Sequence, residues 1–191
     1  SRRQPDLTVL AEDVYKPHNL SAILRSCDAV GIGEVHAVTP TGGVATFNAT
    51  SASAEKWVDL VVHDDIAVAA AALKERGFKL YAAHLSEQAV DYRDVSYIGP
   101  TALILGNEKS GVSSAAAELA DEHVIIPMLG MVQSLNVSVA AAVILFEAQR
   151  QRREAGMYDS PQLSPLATRE IALRWLSRSD AAQLAQEPLP E

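Results

Sequence analysis

Short apolar runs alternate with segments of helical periodicity along most of the chain. Six runs rich in β-branched residues are apolar on consecutive positions, which is typical of parallel strands covered on both faces. These runs cover residues 7–10, 34–38, 58–62, 79–84, 101–105 and 123–126. Because helical segments lie between them, the pattern predicts an α/β domain built on a parallel sheet.

The predicted helices cover residues 19–30, 65–76, 113–120 and 134–155. The first two stop at Gly31 and Gly77, as helices with glycine at their C-termini do. The last one is apolar on every side over residues 137–146, so other protein must cover it. Ser134 is its predicted N-cap, since a serine hydroxyl accepts a hydrogen bond from an unpaired amide of the first turn.

A C-terminal tail follows the long helix. Gly156, Pro161 and Pro165 interrupt the chain before an amphipathic segment at residues 171–176. We therefore predict one domain over residues 1–158 and a helical tail over residues 159–191. A chain of 191 residues is long enough for one such domain to bury a core.

Composition excludes several classes of protein. No apolar run approaches the roughly 18 to 20 residues of a membrane span, and no signal peptide opens the sequence, so we expect a soluble, cytoplasmic protein. The single cysteine, Cys27, allows no disulfide framework. The five histidines are scattered along the sequence, and we predict no metal site.

Charge is distributed unevenly along the chain. The formal net charge is −8, and residues 4–149 carry 8 Lys and Arg against 18 Asp and Glu. Arginines instead occupy the two ends of the predicted domain, at Arg2, Arg3, Arg150, Arg152 and Arg153. Such basic ends suit contacts with nucleic acid phosphates, although charges that only meet solvent would give the same pattern. We take these five arginines as candidate nucleic acid contacts.

One glycine motif suggests a nucleotide site. Gly31-Ile32-Gly33 has the start of a dinucleotide fingerprint. It lacks the third glycine and leads from a helix into a strand, which is the reverse of the order that the fingerprint requires. A helix end followed by a turn explains it better.

Three other segments carry polar side chains at places suited to chemistry. In residues 17–25, Asn19 stands at a helix entrance and Arg25 nearly two turns later. From spacing alone, a helix cap and a surface charge explain both. Residues 105–113 leave a strand and enter a helix, where open α/β sheets bind ligands, but the spacing is not that of a phosphate loop and Glu108 would repel phosphate. Residues 126–139 form a glycine loop that runs into the apolar helix.

The three segments, in this order, closely resemble the three motifs of the SpoU branch of the SPOUT RNA methyltransferases. Similarity of the tRNA guanosine-2′-O-methyltransferase (TrmH) type runs from Arg2 to about Tyr158. The resemblance implies a Rossmann-like sheet, a trefoil knot over residues 101–155 and a homodimer paired along the long helix. It further implies methyl transfer from S-adenosylmethionine, without a metal, to the ribose 2′-oxygen of the D-loop guanosine 18 of tRNA.

The resemblance also assigns roles to residues. It implies a catalytic set of Arg25, Asn19, Ser134, Asn136 and Glu108. The methyl donor would lie against Ala83, Gly106, Ile126 and Leu135. Arg25 would either accept the proton of the 2′-hydroxyl or clamp phosphate and stabilise the developing alkoxide, since guanidinium rarely gives up its own proton.

Other functions remain open on this reading. A 2′-O-methyltransferase acting on ribosomal RNA or on a tRNA anticodon loop would share all three motifs. A non-catalytic RNA-binding relative would not need the complete set of polar residues. A dehydrogenase with a nicotinamide cofactor would need the fingerprint that Gly31-Ile32-Gly33 lacks.

Overall fold

Strands and helices alternate through residues 2–14, 16–39 and 57–176, which the structure, a computed structural model, describes. The elements are β1 (Leu7–Glu12), α1 (Pro17–Ala29), β2 (Glu34–Val38), β3 (Asp59–His63), α2 (Ile66–Glu75), β4 (Lys79–Ala83), β5 (Val90–Asp91), β6 (Thr101–Leu105), α3 (Ser114–Leu119), β7 (Glu122–Ile125), α4 (Val137–Glu154) and α5 (Pro165–Trp175).

The strands form a seven-stranded sheet in the order β3-β2-β1-β6-β4-β7-β5, and neighbouring strands are parallel. This confirms the predicted α/β class. The chain winds from β1 towards one edge through β2 and β3, whereas the later strands occupy the other side of β1. The winding therefore changes direction between β1 and β6, and open α/β sheets bind ligands beyond the carboxyl ends of strands at such a point.

Each face of the sheet carries its own core. Val9 and Leu103 point to one face, where the buried sides of α1 and α4 pack on them. Leu10 and Ile104 point to the other face, which α2 and α3 cover. All four side chains are at most 1% exposed. Burial on both faces explains why these strands are apolar at consecutive positions rather than at every second one.

The start of α4 differs from the prediction. The helix begins at Val137, because the side chain of Asn136 accepts a hydrogen bond from the Ser138 amide at 2.9 Å and so occupies the N-cap position. Ser134 is exposed in the preceding loop and caps nothing. The sequence pattern also missed β5, which has two residues at the edge of the sheet.

The described part of the tail, residues 159–176, contains one helix, which lies on the domain surface. α5 begins after Ser164, whose side chain accepts a hydrogen bond from Ala167, and none of its residues is buried. Its end meets the domain where Arg174 pairs with Asp59 at 2.9 Å and the ring of Trp175 meets that of Trp57 edge-on. Residues 177–191 of the predicted tail lie outside the described residues.

None of the helices in the described part of the chain is both long and apolar enough to cross a lipid bilayer.

Candidate active site

A polar network joins the three segments that the sequence analysis singled out. The side-chain amide of Asn19 donates to Oε1 of Glu108 at 2.6 Å. Asn136 in turn donates from Nδ2 to Oδ1 of Asn19 at 3.2 Å. Residues 89 and 117 positions apart in sequence thus form one network, which lies at the carboxyl ends of the central strands.

Asn19 does not cap α1. Lys16 occupies the N-cap position without a side-chain hydrogen bond, and Asn19 lies in the first turn with 2% of its surface exposed. A buried amide needs partners for its donor and its acceptor, and Glu108 and Asn136 supply them. The structural explanation of Asn19 as a cap is therefore wrong, and its side chain points into the network.

Glu108 is an acceptor held in its ionised form. Burial raises the pKa of its carboxyl, but hydrogen bonds from the Asn19 side chain and from the backbone of Glu108 and Lys16, together with the charge of Lys16, outweigh burial and hold the pKa below its ordinary value. An ionised carboxylate only accepts hydrogen bonds. Its charge therefore fixes which end of the Asn19 amide faces it, and the order of donors along the network follows.

The network includes one residue that the sequence analysis missed. The hydroxyl of Ser138 donates to Oδ1 of Asn136 at 2.7 Å, and the Ser138 amide donates to the same oxygen at 2.9 Å. Two donors on Oδ1 leave the Asn136 NH2 group to face Asn19. The Asn-Val-Ser spacing is the available sequence signal, because an N-cap asparagine regularly bonds the amide two residues later.

The loop that carries Glu108 is fixed to the end of β1. Asn107 donates to the carbonyl of Asp13 at 3.1 Å, and Glu12, which is buried, accepts from the amide and hydroxyl of Ser113. The turn leaves no space for a side chain at Gly106, because a Cβ there would collide with the backbone of residues 111 and 112. Sequence reasoning missed Glu12 and Asp13, whose partners lie more than 90 positions away.

Three of the four predicted donor-binding residues follow neighbouring strands. Ala83 ends β4, Gly106 follows β6 and Ile126 follows β7, and these strands are adjacent in the order β6-β4-β7. The structure thus brings the three residues together at the carboxyl ends of these strands. Leu135 lies in the loop before α4, two residues from its start.

The loop before α4 offers unpaired backbone groups beside the carboxyl ends of these strands. Within the part of the chain that the structure describes, no backbone amide or carbonyl of residues 127–135 makes a hydrogen bond. The loop therefore presents donors and acceptors that a polar ligand could use.

Two predicted catalytic residues stand apart from the network. Arg25 is exposed on α1, and among the described residues its guanidinium has no hydrogen-bond or ion-pair partner. At about 100° per residue it projects about 120° away from Asn19 around the helix. Ser134 is exposed in the loop and makes no hydrogen bond to another described residue.

The predicted nucleic acid contacts fall into three groups. Arg2 and Arg153 are exposed. With Arg3 they line one groove at the amino ends of the strands, away from the polar network. Arg150 is exposed and pairs with two carboxylates of its own helix, at Glu147 and Glu154.

Arg152 cannot contact a nucleic acid, because its side chain is fully buried. It donates to Asp6 at 2.5 Å and to the carbonyls of Tyr97 and Gly99. The prediction for this residue is wrong, since its charge is used inside the protein.

No group of three or more His, Cys, Asp or Glu side chains in the described ranges is arranged to hold a metal ion.

Sequence comparison identifies the family. The profile of the SpoU rRNA Methylase family matches residues 6–146, which include all three segments of the network. The chain belongs to the SpoU rRNA methylase family. The resemblance read from the three motifs is thereby confirmed.

Individual SpoU relatives are similar over most of the chain. A tRNA (guanosine(18)-2′-O)-methyltransferase of Thermus thermophilus is 63% identical over 177 residues, which are 93% of this chain and 91% of the relative. The crystal structure of a TrmH/SpoU tRNA modifying enzyme of A. aeolicus superposes with a TM-score of 0.86 at 42% identity, covering 97% of this chain and 92% of the other.

A further SpoU structure contains a cofactor. The methyltransferase AviRb from Streptomyces viridochromogenes, in complex with AdoMet, superposes with a TM-score of 0.69 at 28% identity. The match covers 79% of this chain and 62% of that one.

Proposed function

We propose that this protein transfers a methyl group from S-adenosylmethionine to the ribose 2′-oxygen of guanosine 18 in the D-loop of tRNA. A relative that is 63% identical over 93% of the chain bears the name of this activity, and family membership covers the residues of the polar network. Because tRNA is the substrate, we infer that the protein works in the cytoplasm.

The observation that carries the proposal is the network of Asn19, Glu108 and Asn136. A protein that only bound RNA through its basic ends would not need a buried asparagine aligned by an ionised carboxylate. Such alignment takes side-chain freedom away and leaves polar groups in fixed directions, which is what a site for an oriented reaction requires.

S-adenosylmethionine, when bound, supplies a methyl group on a sulfonium, whose departure as a neutral thioether needs neither an acid nor a metal. Residues of this chain must then orient the ribose and make its hydroxyl nucleophilic. We assign the orienting role to Asn19, Asn136 and Ser134, with Glu108 holding Asn19 in place. Arg25 acts on the 2′-hydroxyl, either as proton acceptor or as a stabiliser of the developing negative charge.

Ala83, Gly106, Ile126 and Leu135 would hold the methyl donor. Support comes from the adjacent strands β6, β4 and β7, whose carboxyl ends carry Ala83, Gly106 and Ile126. Further support comes from the unpaired backbone of residues 127–135. S-adenosylmethionine has amino, carboxyl, ribose and adenine groups, which need a site rich in backbone hydrogen-bond donors and acceptors. The loop of residues 127–135 offers such groups.

The activity is tested with radiolabelled S-adenosylmethionine and, in separate reactions, bulk tRNA and ribosomal RNA, followed by mapping of the methylated nucleotide. We expect one 2′-O-methyl group, at guanosine 18, and donor binding in the micromolar range by calorimetry in the absence of RNA. NAD should give no heat, since the fingerprint is missing. Label at an anticodon-loop nucleotide, or only in ribosomal RNA, would replace the substrate; donor binding without transfer to any RNA would leave a non-catalytic relative.

We further infer a homodimer paired along α4, with the knot of the family over residues 101–155. The inner side of the helix, including Ala141 and Ile144, is buried in its own core. The outer side keeps Val139 46% and Phe146 50% exposed, which is more apolar surface than a solvent-facing helix usually shows.

The dimer is tested by placing a charge on this outer side. Phe146→Glu should turn the dimer into a monomer at micromolar concentration in light scattering, because an unpaired charge cannot be buried in an apolar interface. Leu166→Glu is the matched control, since Leu166 is similarly exposed, at 54%, on α5. A parent protein that is already monomeric and fully active would contradict the proposed dimer.

A further inference from the structure

A groove at the amino ends of the strands, on the opposite side from the active site, is lined by cations and aromatic rings. It has a volume of about 430 Å³, within the range of ligand pockets. The N-terminal segment, the last turns of α1 and α4, and α5 form its walls. Its charged and aromatic lining residues are Arg2, Arg3, Asp28, Arg153, Tyr158 and Trp175.

The groove is positive in a protein whose net charge is −8. Three arginines face the single carboxylate of Asp28, which is already paired with Arg3 at 2.8 Å. Arg2 and Arg153 are exposed, and no other described residue forms a hydrogen bond or ion pair with their guanidinium groups. Two cations are therefore available to a ligand.

Carbonyl groups at the ends of α1 and α4 would oppose an anion in this place. The nearest of them are occupied: the Tyr158 hydroxyl donates to the Val30 carbonyl at 2.6 Å, and the Gln4 amide donates to the Gly31 carbonyl at 2.8 Å. With these carbonyls satisfied, the unpaired arginines dominate the charge that a ligand meets.

The aromatic side of the groove is a stacked pair. The guanidinium of Arg3 lies over the ring of Trp175, 5.1 Å from its centre, and the Trp175 ring is held edge-on by Trp57. Tyr158 stands beside them with a half-buried ring. Flat aromatic and guanidinium surfaces bind unstacked nucleobases, and such stacking beside cations is the usual mode for single-stranded RNA.

We propose that this groove binds an unpaired nucleotide of the RNA substrate, with its phosphates on Arg2 and Arg153 and its base against the Arg3 and Trp175 stack. The proposal rests on the proposed function. Arg153 follows Val137 by 16 positions along α4, so the groove lies roughly 24 Å from the polar network. It therefore holds a part of the RNA distant from the methylated ribose and contributes to substrate selection rather than to the chemical step.

The first test removes the two unpaired cations. The double variant Arg2→Ala/Arg153→Ala should raise KM for tRNA about tenfold with kcat unchanged, and should lower the slope of log affinity against log salt by roughly two, one for each phosphate that is no longer neutralised. Arg76→Ala is the control. Arg76 is an exposed arginine at the C-terminal end of α2, where it pairs with Glu34, and its removal should change neither KM nor the salt slope. Melting curves of all variants show whether they are folded.

The second test reports on the ring itself. The chain has two tryptophans, so in a Trp57→Phe variant the fluorescence comes from Trp175 alone. Adding tRNA should quench it if a base meets the ring, and Arg2→Ala/Arg153→Ala in that background should shift the quenching to about tenfold higher tRNA. In the converse Trp175→Phe variant, the remaining Trp57 should change little.

The outcomes separate this proposal from the proposed function. The groove does not bind RNA if the parent protein methylates guanosine 18, the double variant keeps the parent KM and salt slope, and tRNA leaves Trp175 of the Trp57→Phe variant unquenched. Quenching of Trp175 by polyglutamate but not by tRNA would reassign the groove to an acidic protein partner. If the parent methylates no RNA yet tRNA still quenches Trp175 in a salt-dependent manner, the groove stands and the proposed function fails.

Discussion

Replacing Arg25 with alanine should lower single-turnover methylation of tRNA by roughly 10²- to 10³-fold, the usual effect of removing a group that stabilises the transition state. The fold should be unaffected, because Arg25 is exposed and the described residues offer it no partner, so the free energy of unfolding should change by no more than about 0.5 kcal/mol. Donor binding by calorimetry should match that of the parent protein.

Arg25→Lys separates the two roles assigned to this residue. Lysine keeps the positive charge but lacks the planar fork of the guanidinium. Substantial recovery of the rate would favour stabilisation of the alkoxide, whereas none would favour a geometry that only guanidinium supplies. Arg93→Ala, which removes another exposed arginine paired with Asp91, should leave the rate unchanged. An alanine variant at position 25 with the parent rate would remove Arg25 from the mechanism and leave the chemistry to the asparagines.

Much of the fold could be predicted from the sequence because burial on both faces of the sheet forces a continuous apolar run. The predicted bounds of the second and fifth of the six runs, at residues 34–38 and 101–105, agree with β2 and β6. The boundaries that failed depend on single side chains. Asn136 moves the start of α4 three residues beyond Ser134, and no periodicity in the apolar positions distinguishes two polar residues so close together.

For the polar network, the sequence predicts which residues take part but not how they are connected. The motifs place Asn19, Glu108 and Asn136 in three separate segments, and the sheet topology decides that these segments meet. The direction of each hydrogen bond, and the part that Ser138 plays in it, depends on local geometry at the start of α4. Arg25 shows the reverse case, since its assignment rests on family resemblance and the described contacts neither include nor exclude it.

Arg152 shows why charge along a sequence is a poor guide to a binding surface. It lies between an arginine paired on the surface, Arg150, and an exposed one, Arg153. One face of α4 is buried, and Arg152 falls on it. Its main partner, Asp6, is 146 positions away, immediately before the first strand. No count of charges by region could have separated Arg152 from its neighbours.

Replacing Arg152 with alanine should destabilise the domain by about 3–5 kcal/mol, the usual effect of breaking a buried ion pair. The guanidinium joins the N-terminal segment to the loop before β6 through Asp6 and the carbonyls of Tyr97 and Gly99. Without it these acceptors lose their donors, and a cavity remains beside α4. Urea unfolding followed by circular dichroism should show a lower midpoint with an unchanged slope.

Arg153→Ala is the matched control for this experiment, because it deletes the same side chain from the next position of the same helix, where it is exposed. Its free energy of unfolding should stay within about 0.5 kcal/mol of the parent value. Raising the salt concentration should not reproduce the effect of Arg152→Ala, since a buried pair is screened far less than a surface one. Equal midpoints for the two variants would mean that the interior contacts of Arg152 contribute no net stability and that its position in the core has another cause.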